Sequence, residues 1–142
     1  MTYAVSASRT IAAPPEKIFD LLADPTRHRE IDGSASVQAA RTGSPTRLGL
    51  GDRFGMDMKI GLKYRITNEV VEFDDNRRIA WRHFGHHVWR YELEPTEGGT
   101  VVTESFDWTD ARSRKLIELM GYPKKNLAAI EKTLERLANV VE

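Results

Sequence analysis

One carboxylate of the sequence stands in an apolar strand pattern. Every second residue around Glu104 is apolar, namely Val102, Phe106 and Trp108. A regular strand would therefore direct the Glu104 carboxylate to the same side as these apolar groups. A carboxyl group in such surroundings finds a hydrogen-bond partner or keeps its proton, and it can then act as an acid or a base near neutral pH. Two alternatives stay open: an outward Glu104, or a Glu104 paired with an arginine of the next strand.

Three aromatic residues and a histidine alternate on either side of a short polar connection. Trp81 and His83 are two residues apart, as are Trp89 and Tyr91, so each pair shares one face of its strand. If residues 85–87 form a three-residue hairpin loop, His83 lies opposite Trp89. Trp81 then lies opposite Tyr91. The four side chains could form one pocket wall, or the aromatic residues could be ordinary core with His83 bonded to a neighbour.

Methionines and a further tyrosine extend the possible pocket wall. Met56, Met58 and Met120 are flexible fillers that suit ligands of variable shape, although core packing is their more usual role. Tyr64 could present a hydroxyl group, in a direction that the sequence does not give. The candidate ligand-binding residues are Met56, Met58, Tyr64, Trp81, His83, Trp89, Tyr91, Phe106, Trp108 and Met120. The candidate catalytic residues are Glu104 and His83.

The sequence carries no pattern typical of a metal or cofactor site. Adjacent His86 and His87 point apart on a strand or turn, and no carboxylate stands at the His-Glu-x-x-His spacing. The lack of cysteine excludes disulfides, thiolate nucleophiles and cysteine-bound zinc or iron–sulfur centres. We expect neither a metal nor a cofactor. Residues 27–30 are interpreted as a solvated helix face, and Lys124 and Lys125 as surface charge.

Length and charge restrict the class of protein. The 142 residues suit one domain over residues 1–142, because a domain has roughly 100–200 residues. The 21 Lys and Arg balance the 21 Asp and Glu, so no net basic field favours nucleic acid. Residues 1–9 lack the basic and apolar parts of a secretory signal, and no segment reaches the ~20 apolar residues of a membrane span. We therefore expect a cytoplasmic protein without a membrane span.

The pattern of apolar residues predicts the elements that hold these candidates. Residues 3–12 indicate a strand, Pro15 begins a short helix over 15–23, and Asp24 caps a second one that ends near Ile31. From residue 34 to 108, apolar positions two apart predict about six strands. After Asp110 a period of three and four predicts a long helix, interrupted at residues 121–123. This order is typical of the α+β class, with one helix laid across a curved antiparallel sheet.

Five segments support a more specific interpretation: residues 12–25, 69–73, 78–81, 89–95 and 98–104. They resemble the polyketide cyclase/dehydrase and lipid-transport family of the helix-grip superfamily, which also contains START lipid-transfer domains and birch-pollen allergens. The resemblance implies a seven-stranded curved antiparallel sheet wrapped around a long C-terminal helix, with two short helices between strands 1 and 2. It also implies an apolar pocket between sheet and helix.

The resemblance leaves three functions open. The first is sequestration or transport of a hydrophobic small molecule, such as a lipid or an aromatic polyketide, in a cavity between the sheet and the C-terminal helix. The second is a polyketide cyclase or dehydratase in which Glu104 or His83 removes a proton next to a carbonyl group. The third is a protein-interaction module with a filled core. The expected partner is a hydrophobic small molecule and not nucleic acid, and the chain could be a monomer or a homodimer.

Overall fold

The computed structural model describes residues 3–33, 37–40, 47–60, 62–83 and 85–142. The chain begins with strand β1 (Ala4–Ile11), helix α1 (Pro15–Leu22), a 3₁₀ turn (Pro25–Arg27) and helix α2 (His28–Ile31). The later strands are β2 (Val37–Ala40), β3 (Arg53–Ile60), β4 (Leu62–Asp74), β5 (Arg78–Arg82), β6 (Val88–Thr96) and β7 (Gly99–Asp107). Helices α3 (Arg114–Leu119) and α4 (Tyr122–Val141) end the chain.

Within the described residues, seven strands form one antiparallel sheet in the order β1-β7-β6-β5-β4-β3-β2. A register shift between Val70 and Glu72 marks a bulge where β4 pairs with β5, and a bulge bends its strand and adds twist. Helix α4 packs across β1 and β7. The predicted α+β class and helix-grip architecture are thus confirmed.

Helix α1 begins where proline predicted it, and the segment after Asp24 begins as a 3₁₀ turn at Pro25 and continues as α2 from His28. Pro15 occupies the first turn of α1, where its missing N–H costs no hydrogen bond. Asp24 precedes the 3₁₀ turn, and its side chain accepts a hydrogen bond of 3.0 Å from the backbone N–H of Thr26. Helix α1 buries Ile18 and Leu21 against the core. These elements cover one end of the sheet and bring α2 beside α4.

The C-terminal helix is broken at the predicted position. Gly121 has a φ of 73°, the left-handed conformation that glycine adopts easily, and Pro123 then lies in the first turn of α4. Among the described helices, none is both long and apolar enough for a bilayer span.

Helix α4 contacts the sheet closely along only part of its length. Its C-terminal half buries Leu134, Leu137 and Val141, at the spacing of one helical face. Toward Tyr122 the helix is less deeply buried, and a cavity lies between it and the concave face of the sheet. A straight helix and a curved sheet thus separate at the end where the candidate residues lie.

Candidate functional site

The cavity has a volume of about 410 Å³ and receives side chains from five strands and from α2, α3 and α4. At ~30 Å³ for each water in the liquid, this volume corresponds to about a dozen water molecules. The walls are mostly apolar. Seven of the candidate ligand-binding residues line the cavity, namely Met56, Met58, Trp81, His83, Trp89, Tyr91 and Phe106.

Aromatic rings in mutual contact form the wall on β5, β6 and β7. The ring centroids of Trp81 and Tyr91 are 5.7 Å apart, and those of Trp89 and Phe106 are 4.9 Å apart. The Trp81 ring also stacks on His28 at 4.9 Å. Such contacts fix the ring orientations, so this wall is rigid before any ligand arrives.

The predicted register between β5 and β6 was wrong. Trp81 lies opposite Trp89, whereas the sequence interpretation placed it opposite Tyr91. The backbone N–H of His83 donates to the carbonyl of His87 at 3.0 Å, so the loop is centred one residue earlier than predicted. The shift changes the cross-strand partner of each β5 residue by two positions. Each side chain stays on the same face of the sheet, because strand side chains alternate with a period of two. Trp81, His83, Trp89 and Tyr91 therefore still line one cavity.

Glu104 points into the cavity and is 4% exposed, which excludes the outward orientation, and among the described residues no arginine forms an ion pair with it. It lies opposite Tyr91 in the β6–β7 register, and the Tyr91 hydroxyl donates a hydrogen bond to its carboxylate. Its Oε1 has no hydrogen-bond partner among the described residues. Burial raises the pKa of Glu104 to about 8; the Tyr91 bond opposes that rise and the Asp32 charge adds to it. The group is therefore mostly a neutral acid at pH 7.

Two histidines of the cavity are neutral at the same pH. Burial and the neighbouring His87 lower the pKa of His83 to about 3, and burial lowers the pKa of His87 to about 4. Their ring centroids are 4.6 Å apart. A base with so low a pKa takes up protons poorly at neutral pH, so Glu104 is a stronger acid–base candidate than His83.

The interpretation of residues 27–30 as a solvated helix face was wrong for His28. Its side chain is buried and lines the cavity, and its Nε2 donates to the carbonyl of Leu22 at 2.8 Å. Burial lowers its pKa. His28 and the buried Ile31 are three residues apart on α2, which is the spacing of one helical face and was the available signal.

The sequence interpretation also missed Asn68. This residue is 3% exposed and lines the cavity, and its Oδ1 has no hydrogen-bond partner among the described residues. It lies on β4 midway between the buried Ile66 and Val70, so alternation places all three on one face. An unpaired buried amide oxygen favours a ligand that donates a hydrogen bond to it.

Two predicted wall residues are absent from the cavity lining. The Trp108 indole follows the end of β7 and donates from Nε1 to Glu118 Oε2 at 2.8 Å, so it attaches α3 to the sheet. Met120 ends α3 and is 50% exposed, because the break at Gly121 turns it outward. The side chain of Tyr64 lies outside the described part of the chain.

The structure places His83 and His87, but not His86, in the cavity wall. His86 has a φ of 67°, and its Nε2 lies 3.1 Å from an Arg112 guanidinium nitrogen. Among the residues described, no group of three or more histidines and carboxylates is arranged to hold a metal ion.

A curved antiparallel sheet around a C-terminal helix, with an apolar cavity between them, defines the helix-grip class. The chain belongs to the family described as polyketide cyclase/dehydrase and lipid transport, whose model matches residues 2–142. The family resemblance noted in the sequence is confirmed.

The chain is also similar to individual proteins of known sequence or structure. Protein Rv0088 of Mycobacterium tuberculosis is 41% identical over an alignment of 143 positions that covers 95% of this chain. The chain spans only 62% of the length of that curated relative. Two solved structures are similar. Protein CV1439 of Chromobacterium violaceum has a TM-score of 0.72 at 16% identity, covering 98% of this chain and 96% of that one. The polyketide-cyclase-like protein Cgl2372 of Corynebacterium glutamicum has a TM-score of 0.65 at 26% identity, covering 100% and 91%.

Proposed function

We propose that the protein binds a hydrophobic small molecule, such as a lipid or an aromatic polyketide, in the cavity between the sheet and α4. The observation that supports this most is the 410 Å³ cavity with aromatic and aliphatic walls. A ligand there would gain roughly 25 cal/mol for each Å² of apolar surface removed from water, before the costs of association. An unfilled cavity of this size argues against the interaction module with a filled core.

The polar atoms of the cavity suggest which polar group the ligand carries at one end. Glu104 Oε1 and Asn68 Oδ1 both lack partners among the described residues, and both side chains are buried. A neutral Glu104 can donate to a carbonyl or hydroxyl oxygen, while Asn68 Oδ1 accepts from a hydroxyl or N–H group. No lysine or arginine is among the described lining residues, and Asp32 is. We therefore propose an uncharged ligand with one polar end that both donates and accepts.

Filling the cavity from α4 tests binding. Ala129 faces the cavity and Ala128 faces solvent on the same helix. Ala129→Trp is expected to lower the affinity for the neutral apolar dye N-phenylnaphthylamine by at least about tenfold, because the indole occupies the ligand volume. Fluorescence titration measures this affinity.

The matched control is Ala128→Trp, which adds the same side chain outside the cavity. It should bind the dye as the wild-type protein does. Native mass spectrometry of freshly purified protein would show in parallel whether a molecule co-purifies. Equal dye affinity in both variants, or no dye binding by the folded wild-type protein, would contradict the proposed cavity binding.

A second candidate function, acid–base catalysis of cyclase or dehydratase type, is supported by Glu104 itself. Glu104 is a buried carboxyl group with a pKa of about 8 and an oxygen directed at an apolar cavity. Such a group is suited to removing a proton from the carbon next to a carbonyl group. With a model aromatic polyketide as substrate, Glu104→Gln should lose turnover and still bind the dye. Turnover equal to the wild type would remove Glu104 from catalysis.

A further inference from the structure

A group of large apolar side chains is exposed where the C-terminal helix is broken. We name these residues the α3 tip: Leu116, Leu119, Met120 and Tyr122, which are 54%, 84%, 50% and 42% exposed. Exposed leucines that stand singly on a surface need no explanation, whereas several within seven residues of chain mark an interaction site. Helix α3 has no buried residue of its own.

The α3 tip is surrounded by positive charge. Between residues 111 and 126 the chain carries Arg112, Arg114, Lys115, Lys124 and Lys125, all of them exposed. The only acidic residue of that segment is Glu118, whose carboxylate accepts the hydrogen bond from Trp108. The segment therefore has four net positive charges in a chain whose formal net charge is zero.

Ring contacts hold two of these cations in place. The Arg114 guanidinium lies 4.7 Å from the centroid of the Tyr3 ring, and the Lys125 ammonium lies 5.7 Å from that of the tip residue Tyr122. The Lys125 charge is thus held at the tip itself. A second copy of the chain on this surface would place like charges against each other, which disfavours self-association through the tip.

The tip also adjoins the cavity. Ile117, next to Leu116, lines the cavity, and so does Tyr122. Gly121 separates α3 from α4, and an added Cβ there would meet no atom within 4 Å. A surface bound to the tip would therefore lie beside residues of the cavity wall.

We propose that the α3 tip docks on a lipid surface that carries anionic headgroups. The leucines and Met120 would enter the boundary between headgroups and acyl chains, and the surrounding lysines and arginines would contact the anionic headgroups. The exposed apolar residues match the acyl boundary of such a surface, and the cations beside them in the chain match its anionic headgroups. The proposal goes beyond ligand binding and does not depend on what occupies the cavity.

Vesicle flotation tests the docking surface. The full chain should bind vesicles of phosphatidylcholine mixed with phosphatidylglycerol, and it should bind vesicles of phosphatidylcholine alone at least about tenfold more weakly. Leu119→Asp should lower binding to the anionic vesicles by at least about tenfold, because a carboxylate replaces the most exposed apolar group. Lys124→Gln combined with Lys125→Gln should weaken binding and reduce its dependence on salt.

The matched control is Val140→Asp, which also places a carboxylate at an exposed apolar position of the chain. Val140 is 37% exposed and lies 18 residues after Tyr122 in α4, about 27 Å away at the ~1.5 Å rise per helical residue. This variant should bind the anionic vesicles as the wild type does, and circular dichroism should show every variant folded. No binding of the folded wild type to anionic vesicles, or equal binding by Leu119→Asp, would overturn the proposal.

Discussion

As the pH rises from 6.5 to 8, the wild-type protein is expected to lose stability relative to the Glu104→Gln variant. The reason is the buried carboxyl group beside Tyr91, whose pKa rises from 4.5 in the unfolded chain to about 8 in the fold. Over that interval the unfolded chain has released this proton while the folded protein retains it. Stability contributed by the group is therefore complete below pH 4.5 and is lost as the pH rises through 8.

The histidines of the cavity make stability change with pH in the opposite direction, and they do so mainly at lower pH. Their pKa values fall from 6.5 to about 3 for His83 and to about 4 for His87, and that of His28 is also lowered. These groups cost stability as the pH falls through 6.5, where the unfolded chain takes up protons that the fold excludes, so part of that cost is still present at pH 6.5 and disappears by pH 8. Burial raises the pKa of Tyr91 well above 10, outside the interval. The histidines are the same in the wild type and in Glu104→Gln, so the difference in stability between the two proteins isolates Glu104.

The expected size follows from about 1.4 kcal/mol for each pH unit over which one proton separates the two states. Because the folded carboxyl group itself begins to ionise near pH 8, the difference between wild type and variant changes by about 1.6 kcal/mol between pH 6.5 and 8. Urea unfolding at several pH values, followed by tryptophan fluorescence, measures it. Glutamine keeps the shape and an acceptor for Tyr91 and does not ionise. The control is Glu94→Gln, because Glu94 is an exposed carboxylate of β6 and should parallel the wild type. A difference in the free energy of unfolding between wild type and Glu104→Gln that stays constant from pH 6.5 to 8 would contradict the assigned state of Glu104.

The direction of Glu104 shows what alternation alone can predict. A period of two fixes the face of each strand residue, so the sequence indicated that Glu104 shares a face with Val102 and Phe106. It could not choose between the inner and outer face, because that choice depends on which side α4 covers. The fold class followed from the same kind of pattern, since helix breaks and strand periods are local signals.

The predictions failed where contacts between elements determine the strand pairing or the direction of a side chain. The β5–β6 loop depends on which residue pair closes it, and the polar residues there permit more than one centre. Trp108 and Met120 each follow the end of an element, so the periodicity used to orient them no longer applies. His28 and Asn68 are polar residues at inward positions, and a search for apolar faces passes over them.

Two adjacent glycines in the β6–β7 turn are expected to differ sharply when each is replaced by alanine. Gly99 has a φ of 148°, and a Cβ there would lie 2.0 Å from the carbonyl oxygen of Ile11. The neighbouring Thr100 pairs with Ile11 and donates from Oγ1 to the carbonyl of Ala13 at 2.8 Å. The backbones of β1 and β7 therefore approach too closely at Gly99 for any side chain.

Gly99→Ala is expected to lower the free energy of unfolding by about 4 kcal/mol or more, because strain at a special φ and a backbone clash act together. Gly98→Ala is the matched control, since its Cβ would meet no atom within 4 Å, and its effect should stay within about 0.5 kcal/mol. Thermal and urea unfolding of both variants would measure the difference. Both residues are glycines, so residue type does not distinguish them; only the distance to Ile11 does. Equal stability of the two variants would contradict the close approach of β1 to β7, the two strands on which α4 packs.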